Sequence, residues 1–269
     1  MTEHRSLDKL QSLGWDVLSI NFAELIVELE FKQELEELVS ILLAAEFSVE
    51  EAIIKRGGGL ADQTKMLTEQ LVSKGWQKNN VTVSNDITFQ REFDAIVASS
   101  TTHEIDHLIP NPEGRLLAME IEWNNKDEFF DRDFQSIRRL YELNVIDAGI
   151  ILTRGQSLED ELLAMIEGYF GEKGVESVSD FRSLSAEFID GQGRERFSFP
   201  TRPQEAEINR KTSAGAKTYL KAASETFKSS KFGGTTTNWR QLKKRVDRRD
   251  AGRAPILFLG IPASVFVRT

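Results

Sequence analysis

The hydrophobic pattern of the chain changes period near residue 75. Before that point, apolar residues recur at helical spacing. Leu35, Leu38, Val39, Leu42 and Leu43 form one stripe within Lys32–Glu46, and residues 5–46 as a whole predict helix around a single break. Ser48-Val-Glu-Glu51 has the form of an N-terminal capping box and predicts a short helix running to Arg56-Gly-Gly-Gly59. Another helix is predicted over Asp62–Lys74, with Leu67, Leu71 and Lys74 on one side and Gly75 closing it. Alternation then takes over. Val81–Val83, Phe93–Val97, Glu104–Ile109, Leu116–Trp123 and Ala148–Thr153 predict strands, with Pro110-Asn-Pro-Glu-Gly114 as a turn. An amphipathic helix is expected at Glu128–Leu143, with Phe130, Phe134, Ile137 and Tyr141 along its apolar stripe and Arg138 and Arg139 near its carboxyl end. A further helix follows at Leu158–Phe170. Beyond Gly171 the pattern weakens until the apolar stretch Pro255–Val267, which predicts a buried closing pair of strands. Helix, strands, helix, strand in that order make an α/β protein with a central mixed sheet flanked by helices. One domain is expected over residues 1–269, with N-terminal helices (1–75), an αβ core (76–170) and a C-terminal region (171–269).

Composition narrows the chemistry. With 40% hydrophobic and 29% charged residues in 269, the chain has the make-up of a globular protein. It contains no cysteine, which excludes disulfide scaffolds, zinc ribbons and thiol nucleophiles. Its three histidines, His4, His103 and His107, are too few and too scattered for a histidine-built zinc site. MTEHRSLDKL has no apolar core of the kind a secretory leader needs, and no apolar run approaches the ~18 residues of a membrane span, so a cytoplasmic protein with no membrane partner is expected. Triple glycine 57–59 lacks the Gly-Lys-Ser/Thr ending of a phosphate loop, and Ala214–Thr218 lacks the earlier glycine, so neither predicts a nucleotide site.

The net charge of −9 by itself argues against nucleic acid. Its distribution points the other way. Arg202 to Arg253 holds fourteen lysines and arginines against five acids, with Asn238, Trp239 and several Ser/Thr interspersed. The plain alternative is a solvated helical face.

The candidate chemistry lies in His103–Trp123. In a strand over Leu116–Trp123, Leu117, Met119, Ile121 and Trp123 share one face, while Ala118, Glu120 and Glu122 share the other. If the preceding strand pairs antiparallel, Asp106 approaches Glu120. Three carboxylates at one spot are costly unless a cation joins them. An all-oxygen set without His or Cys suits Mg²⁺, which neutralises a phosphate and activates water. An acidic outer sheet face is the competing reading.

Asp106, fourteen positions before Glu120-Ile-Glu122, on two hairpin strands followed by a helix and another strand, resembles the PD-(D/E)xK nuclease core, and in detail the type II restriction endonuclease branch of BglII and BamHI. Lys74-Gly-Trp-Gln-Lys-Asn-Asn-Val81, Arg91-Glu-Phe-Asp94, Ile105-Asp106, Met119-Glu-Ile-Glu-Trp123 and Gly149-Ile-Ile-Leu-Thr-Arg154 follow in that branch's order. The resemblance covers roughly residues 45–170. It implies a restriction-endonuclease-like core and a Mg²⁺-dependent homodimer that cuts double-stranded DNA at a palindrome, leaving 5′-phosphate ends. Asp106 and Glu120 would bind the metal, with the carbonyl of Ile121 as a further ligand. Glu122 stands where most of the superfamily has lysine; it would act as general base or bind a second cation. Lys126 is a candidate for the missing positive charge, Asp94 a rival for the Asp106 role, and Glu50 or Glu51 an outer ligand, with capping the other role for Glu51. His107 would point to the opposite strand face. Packing in the core and a dimer contact are both open for the Phe130/Phe134/Ile137/Tyr141 stripe. With a nuclease in view, Lys126, Lys228, Lys231, Asn238, Arg240, Lys243, Lys244, Arg245, Arg248 and Arg249 become candidate DNA contacts. The rival readings are a structure-specific repair or junction nuclease of the same superfamily and a non-catalytic DNA-binding protein.

Overall fold

The computed structural model describes residues 6–55, 62–87 and 96–267, apart from 190, 192, 194, 214 and 216. The triple glycine, Asp94 and most of the Phe93–Val97 strand lie outside the described residues.

The amino-terminal part forms α1 (Ser6–Ser12), β1 (Asp16–Ile20), α2 (Ala23–Glu30), α3 (Lys32–Leu43), the two-residue strand β2 (Phe47–Ser48), a π-helical turn (Glu50–Ile54) and α4 (Asp62–Ser73). The centre forms β3 (Gln77–Ile87), β4 (Ile96–Pro110), β5 (Leu116–Glu122), α5 (Glu128–Glu142), β6 (Ala148–Arg154) and α6 (Gln156–Glu172). Four more helices, α7 (Val178–Glu187), α8 (Arg202–Ser213), α9 (Tyr219–Lys231) and α10 (Trp239–Asp247), precede β7 (Ile256–Ile261) and β8 (Phe266–Val267).

The main sheet runs β1-β7-β6-β5-β4-β3. Its centre, β7-β6-β5, is parallel; β1, β4 and β3 add antiparallel edges. Parallel strands need a crossover, and the amphipathic α5 supplies it between β5 and β6. The period-2 pattern then sorts the core. Leu117, Met119 and Ile121 of β5, Ile150 and Leu152 of β6, and Leu257 and Leu259 of β7 pack on one face under α3, α4, α6 and α9. Ala118, Ile151, Ile256 and Phe258 face the other way, against Phe130, Phe134, Ile137 and Leu140 of α5 and Trp239 and Leu242 of α10. Helix α5 lies close to the sheet at Gly149, where an added Cβ would stand 2.8 Å from Ile137 Cδ1. This is the mixed sheet flanked by helices that the sequence predicts.

Several expectations need correction. Residues 5–46 are not helical around one break. Gly14, at φ +87°, ends α1, and Asp16–Ile20 pairs with β7 as an edge strand. The pairing overrides the helical spacing because Trp15 and Val17 reach the core from an extended chain. Ser48 does not cap a helix. Val49 precedes the π-helical turn with no side-chain cap, Glu51 pairs with Lys55, and Glu50 accepts from Tyr169 Oη at 2.6 Å. Glu104–Ile109 is part of the long strand β4, which also carries the polar run Ser99–Thr102 and pairs with β3 over most of its length. Pro255–Val267 does not close as a pair: β7 inserts between β6 and β1, and β8 leaves to join β2.

Candidate active site

A β-bulge aims the first carboxylate. Gln77 of β3 faces Leu108 and Asn79 faces Ile105, so β4 holds one extra residue in that interval. On the amino side of the bulge the odd-numbered residues face α5: His103 Nδ1 lies 3.0 Å from Ser136 Oγ, and Ile105 packs beneath α5. Past it they face the other way. His107 is buried with Nε2 3.2 Å from Thr68 Oγ1 of α4, and Ile109 joins the opposite core. Asp106 sits at the switch. The β4–β5 register, with His107 opposite Met119, sets it beside Glu120, and its backbone N–H points at Glu120 Oε2 from 3.4 Å.

Glu120 and Glu122 share the α5 side of β5, as period-2 alternation requires, and both are 1% exposed. Burial pushes the Glu120 carboxyl well above the usual range, and the carboxyls of Asp133 and Asp106 push it further. Glu122 is pushed up to about 9, first by burial and then by Asp133, against the lowering effect of Asn125 and Arg132. Glu122 Oε2 accepts from Asn125 Nδ2 at 2.7 Å, and Oε1 from Arg132 Nη2 at 3.3 Å.

Asp133 is the residue the sequence reading missed. It projects from α5 at 1% exposure, and burial raises its carboxyl too. Phe130, Asp133, Phe134 and Ile137 occupy helix positions i, i+3, i+4 and i+7, the inner stripe. A carboxylate within an apolar stripe was the available signal. Four acids, Asp106, Glu120, Glu122 and Asp133, therefore meet in one buried neighbourhood, with Arg132 as the cation in contact.

Among the described residues, no three Asp, Glu or His side chains converge as a ready ion site. The donor set still fits Mg²⁺. That ion takes one or two protein carboxylates and keeps several waters. Asp106 and Glu120 are such a pair, and the raised pKa of Glu120 is what a carboxylate shows when no cation offsets its neighbours.

The other predicted residues divide. Lys126 is exposed, and its backbone bridges Thr236. Arg240 and Lys243 are exposed on α10. Arg248 is exposed but paired with Asp250 at 2.6 Å and Asp131 at 3.3 Å. Asn238 and Arg245 turn inward. Asn238 caps α10, accepting from Gln241 N–H at 3.0 Å and donating to Thr236 O at 2.8 Å. Arg245 grips Asp131 with two bonds of 2.8 and 2.9 Å. Both side chains are buried, so their place among the DNA contacts is corrected to a structural one. Lys231 likewise points inward, donating to the carbonyls of Ile53, Ile54 and Lys55, and burial lowers it to about 7. A polar cleft of about 560 Å³ opens beyond the carboxyl end of β6, lined by Glu159, Asp160, Lys228, Arg240 and Lys244. Clefts at that end of parallel strands are where α/β sheets bind ligands.

The segment before α10 lies against the turn that follows β5. Asp127 N–H donates to Thr235 O and Thr237 N–H to Asn125 O, each at 2.9 Å. The site is thus bordered by an exposed basic helix surface.

No curated protein matches the chain. The sequence model of the family described as restriction endonuclease BglII/BglIII matches it over residues 15–261.

Proposed function

The chain belongs to the BglII/BglIII family of restriction endonucleases, site-specific deoxyribonucleases, and on that premise we propose that it uses Mg²⁺, held by Asp106 and Glu120 with the Ile121 carbonyl, to cut double-stranded DNA as a homodimer. The observation that carries the reading is the buried contact between Asp106 and Glu120 on neighbouring antiparallel strands. When bound, the ion supplies charge neutralisation at the phosphate and a more acidic water.

The chain's own groups do the rest. Glu122 is the general base: its carboxylate takes the proton from the attacking water. Asn125 fixes Oε2 of Glu122, leaving Oε1 as the oxygen turned toward Arg132. The water oxygen bonds to phosphorus in line with the departing 3′-oxygen. The P–O3′ bond breaks, and the products are a 5′-phosphate and a 3′-hydroxyl. Lys228, Arg240, Lys243 and Lys244 neutralise flanking phosphates. A two-fold protein matches a two-fold DNA site, which is the reason to propose a homodimer on a palindrome.

The test is a plasmid digest. Asp106→Asn and Glu120→Gln are expected to lower the cutting rate at least about 1,000-fold, while a gel shift in Ca²⁺ still shows specific binding. Cutting at near the wild-type rate by either variant would refute the assignment. Discrete fragments with 5′-phosphate ends are expected from the wild type.

A further inference from the structure

Arg132 sits where a cation belongs. Its Nη2 reaches Glu122 Oε1 at 3.3 Å and Asp133 Oδ1 at 2.8 Å, and its Nε reaches the same Asp133 oxygen at 3.0 Å. Its guanidinium lies over the Phe129 ring, 4.5 Å from the centroid. The two carboxylates are fully buried, but Arg132 itself is 56% exposed. One end of the group is thus in the acid cluster and the rest in solvent. Asp133 has a second oxygen, Oδ2, that is buried with no hydrogen-bond partner. An orphaned buried carboxylate oxygen is expensive, and one cation on the other oxygen leaves it so.

We propose that Glu122 and Asp133 form a divalent-cation site of their own and that Arg132 is its resident substitute, competing with the ion for these two carboxylates. This rests on the reading of Glu120 and Glu122 as the active-site edge, and adds to it a residue that sets how readily the site is loaded. An ion between Glu122 and Asp133 gives Oδ2 the partner it lacks. It also releases a guanidinium that is already half in solvent, on the first turns of α5, beside the scissile position. A freed guanidinium there has the planar fork that suits a phosphate. Arg132 acts through the carboxylates and is a positioning residue.

Competition has a signature that loss of structure does not share, because removing Arg132 must strengthen ion binding. The experiment measures Ca²⁺ binding by calorimetry on the full chain without DNA, for the wild type, Arg132→Gln, Arg132→Lys, Asp106→Asn and the double variant Arg132→Gln/Asp133→Asn. Arg132→Gln is expected to bind Ca²⁺ about tenfold more tightly or to take up a second equivalent, since a whole opposing charge is gone. Arg132→Lys is expected to fall between, because an ammonium cannot hold both carboxylates with a fork. The double variant is expected to lose the gain. Binding by both Arg132 variants within twofold of wild type overturns the proposal, as does a gain that persists in the double variant. Should Arg132→Gln fail to fold, Arg132→Lys decides alone by the same limits. The outcomes also separate this proposal from the one before it. One wild-type Ca²⁺ equivalent, lost in Asp106→Asn and unaltered by the Arg132 variants, overturns only the Arg132 proposal. No wild-type binding with one equivalent in Arg132→Gln supports the Arg132 proposal and removes the ion from Asp106 and Glu120.

Discussion

β5 and β6 lie side by side and parallel, and each delivers a buried charge to its carboxyl end. On β6 it is Arg154, with no solvent exposure. Its Nη1 meets Glu159 at 2.8 Å, its Nε and Nη2 reach Thr237 O at 3.2 and 2.7 Å, Nη2 also reaches Thr236 Oγ1, and its plane lies 4.9 Å from the centre of the Phe232 ring. Burial lowers it to about 10, and it stays charged at neutral pH. On β5 the charges are Glu120 and Glu122, one strand spacing away. They face Asp106 and Asp133, with one half-exposed arginine among four acids. The first arrangement is a finished ion pair that ties the segment before α10 to the sheet. The second is unfinished. Sites that handle ions or protons are where such imbalance is retained.

Breaking the finished side should have the largest effect. Arg154→Met leaves Glu159 buried and two threonine groups without their donor, and is expected to cost about 3–5 kcal/mol in denaturant unfolding. Glu120→Gln, in the absence of divalent ions, should be neutral or stabilising by up to about 1 kcal/mol, because it removes a repelling charge. Equal losses from the two would erase the contrast. The effect of pH should be smaller. Glu120 and Glu122 have raised pKa values in the folded state, so between the ordinary carboxylate range and about 9 the native protein holds protons that the unfolded chain has released. Stability therefore falls as pH rises through that window. In metal-free buffer the Tm is expected to drop by at least about 5 °C between about pH 6 and 9, and a flat profile would mean that the acids ionise freely. The smallest effect belongs to the basic helix. Lys243→Ala should weaken DNA binding a few-fold and lower the salt slope by about one. Asn238→Ala should leave that slope alone and cost about 1 kcal/mol of helix stability as a lost cap. A changed slope in Asn238→Ala would put it back among the contacts.

What could be read in the sequence follows from range. Alternation along β5 is local, so Glu120 and Glu122 were legible with the correct face, and the turn at Pro110–Gly114 made Asp106 a legible neighbour. Gly114, at φ +80°, closes that turn. The bulge in β4 was not legible, because its only cause is the register with β3. Without the extra residue, Asp106 and Ile105 would alternate to opposite faces, and Asp106 would leave the other acids. Asp133 was hidden by the habit of reading a helix stripe for its apolar members alone. β1 was hidden because its partner, β7, lies more than 230 positions away in the chain. The basic quarter was legible as charge but not as use. Whether a lysine or arginine meets solvent or an internal partner depends on α5 and α10 packing together, and Arg245 was settled by Asp131, on an element over a hundred residues earlier.

The clasp between Thr235–Thr237 and Asn125–Asp127 has a consequence for fidelity. The strip of chain that leads into the basic helix is hydrogen-bonded to the turn whose Asn125 steadies Glu122. A misfit between that helix and the wrong duplex would be felt as a shifted base. Such an enzyme can grip many sequences and still reject most of them at the cutting step, so its selectivity would be written in turnover more than in affinity.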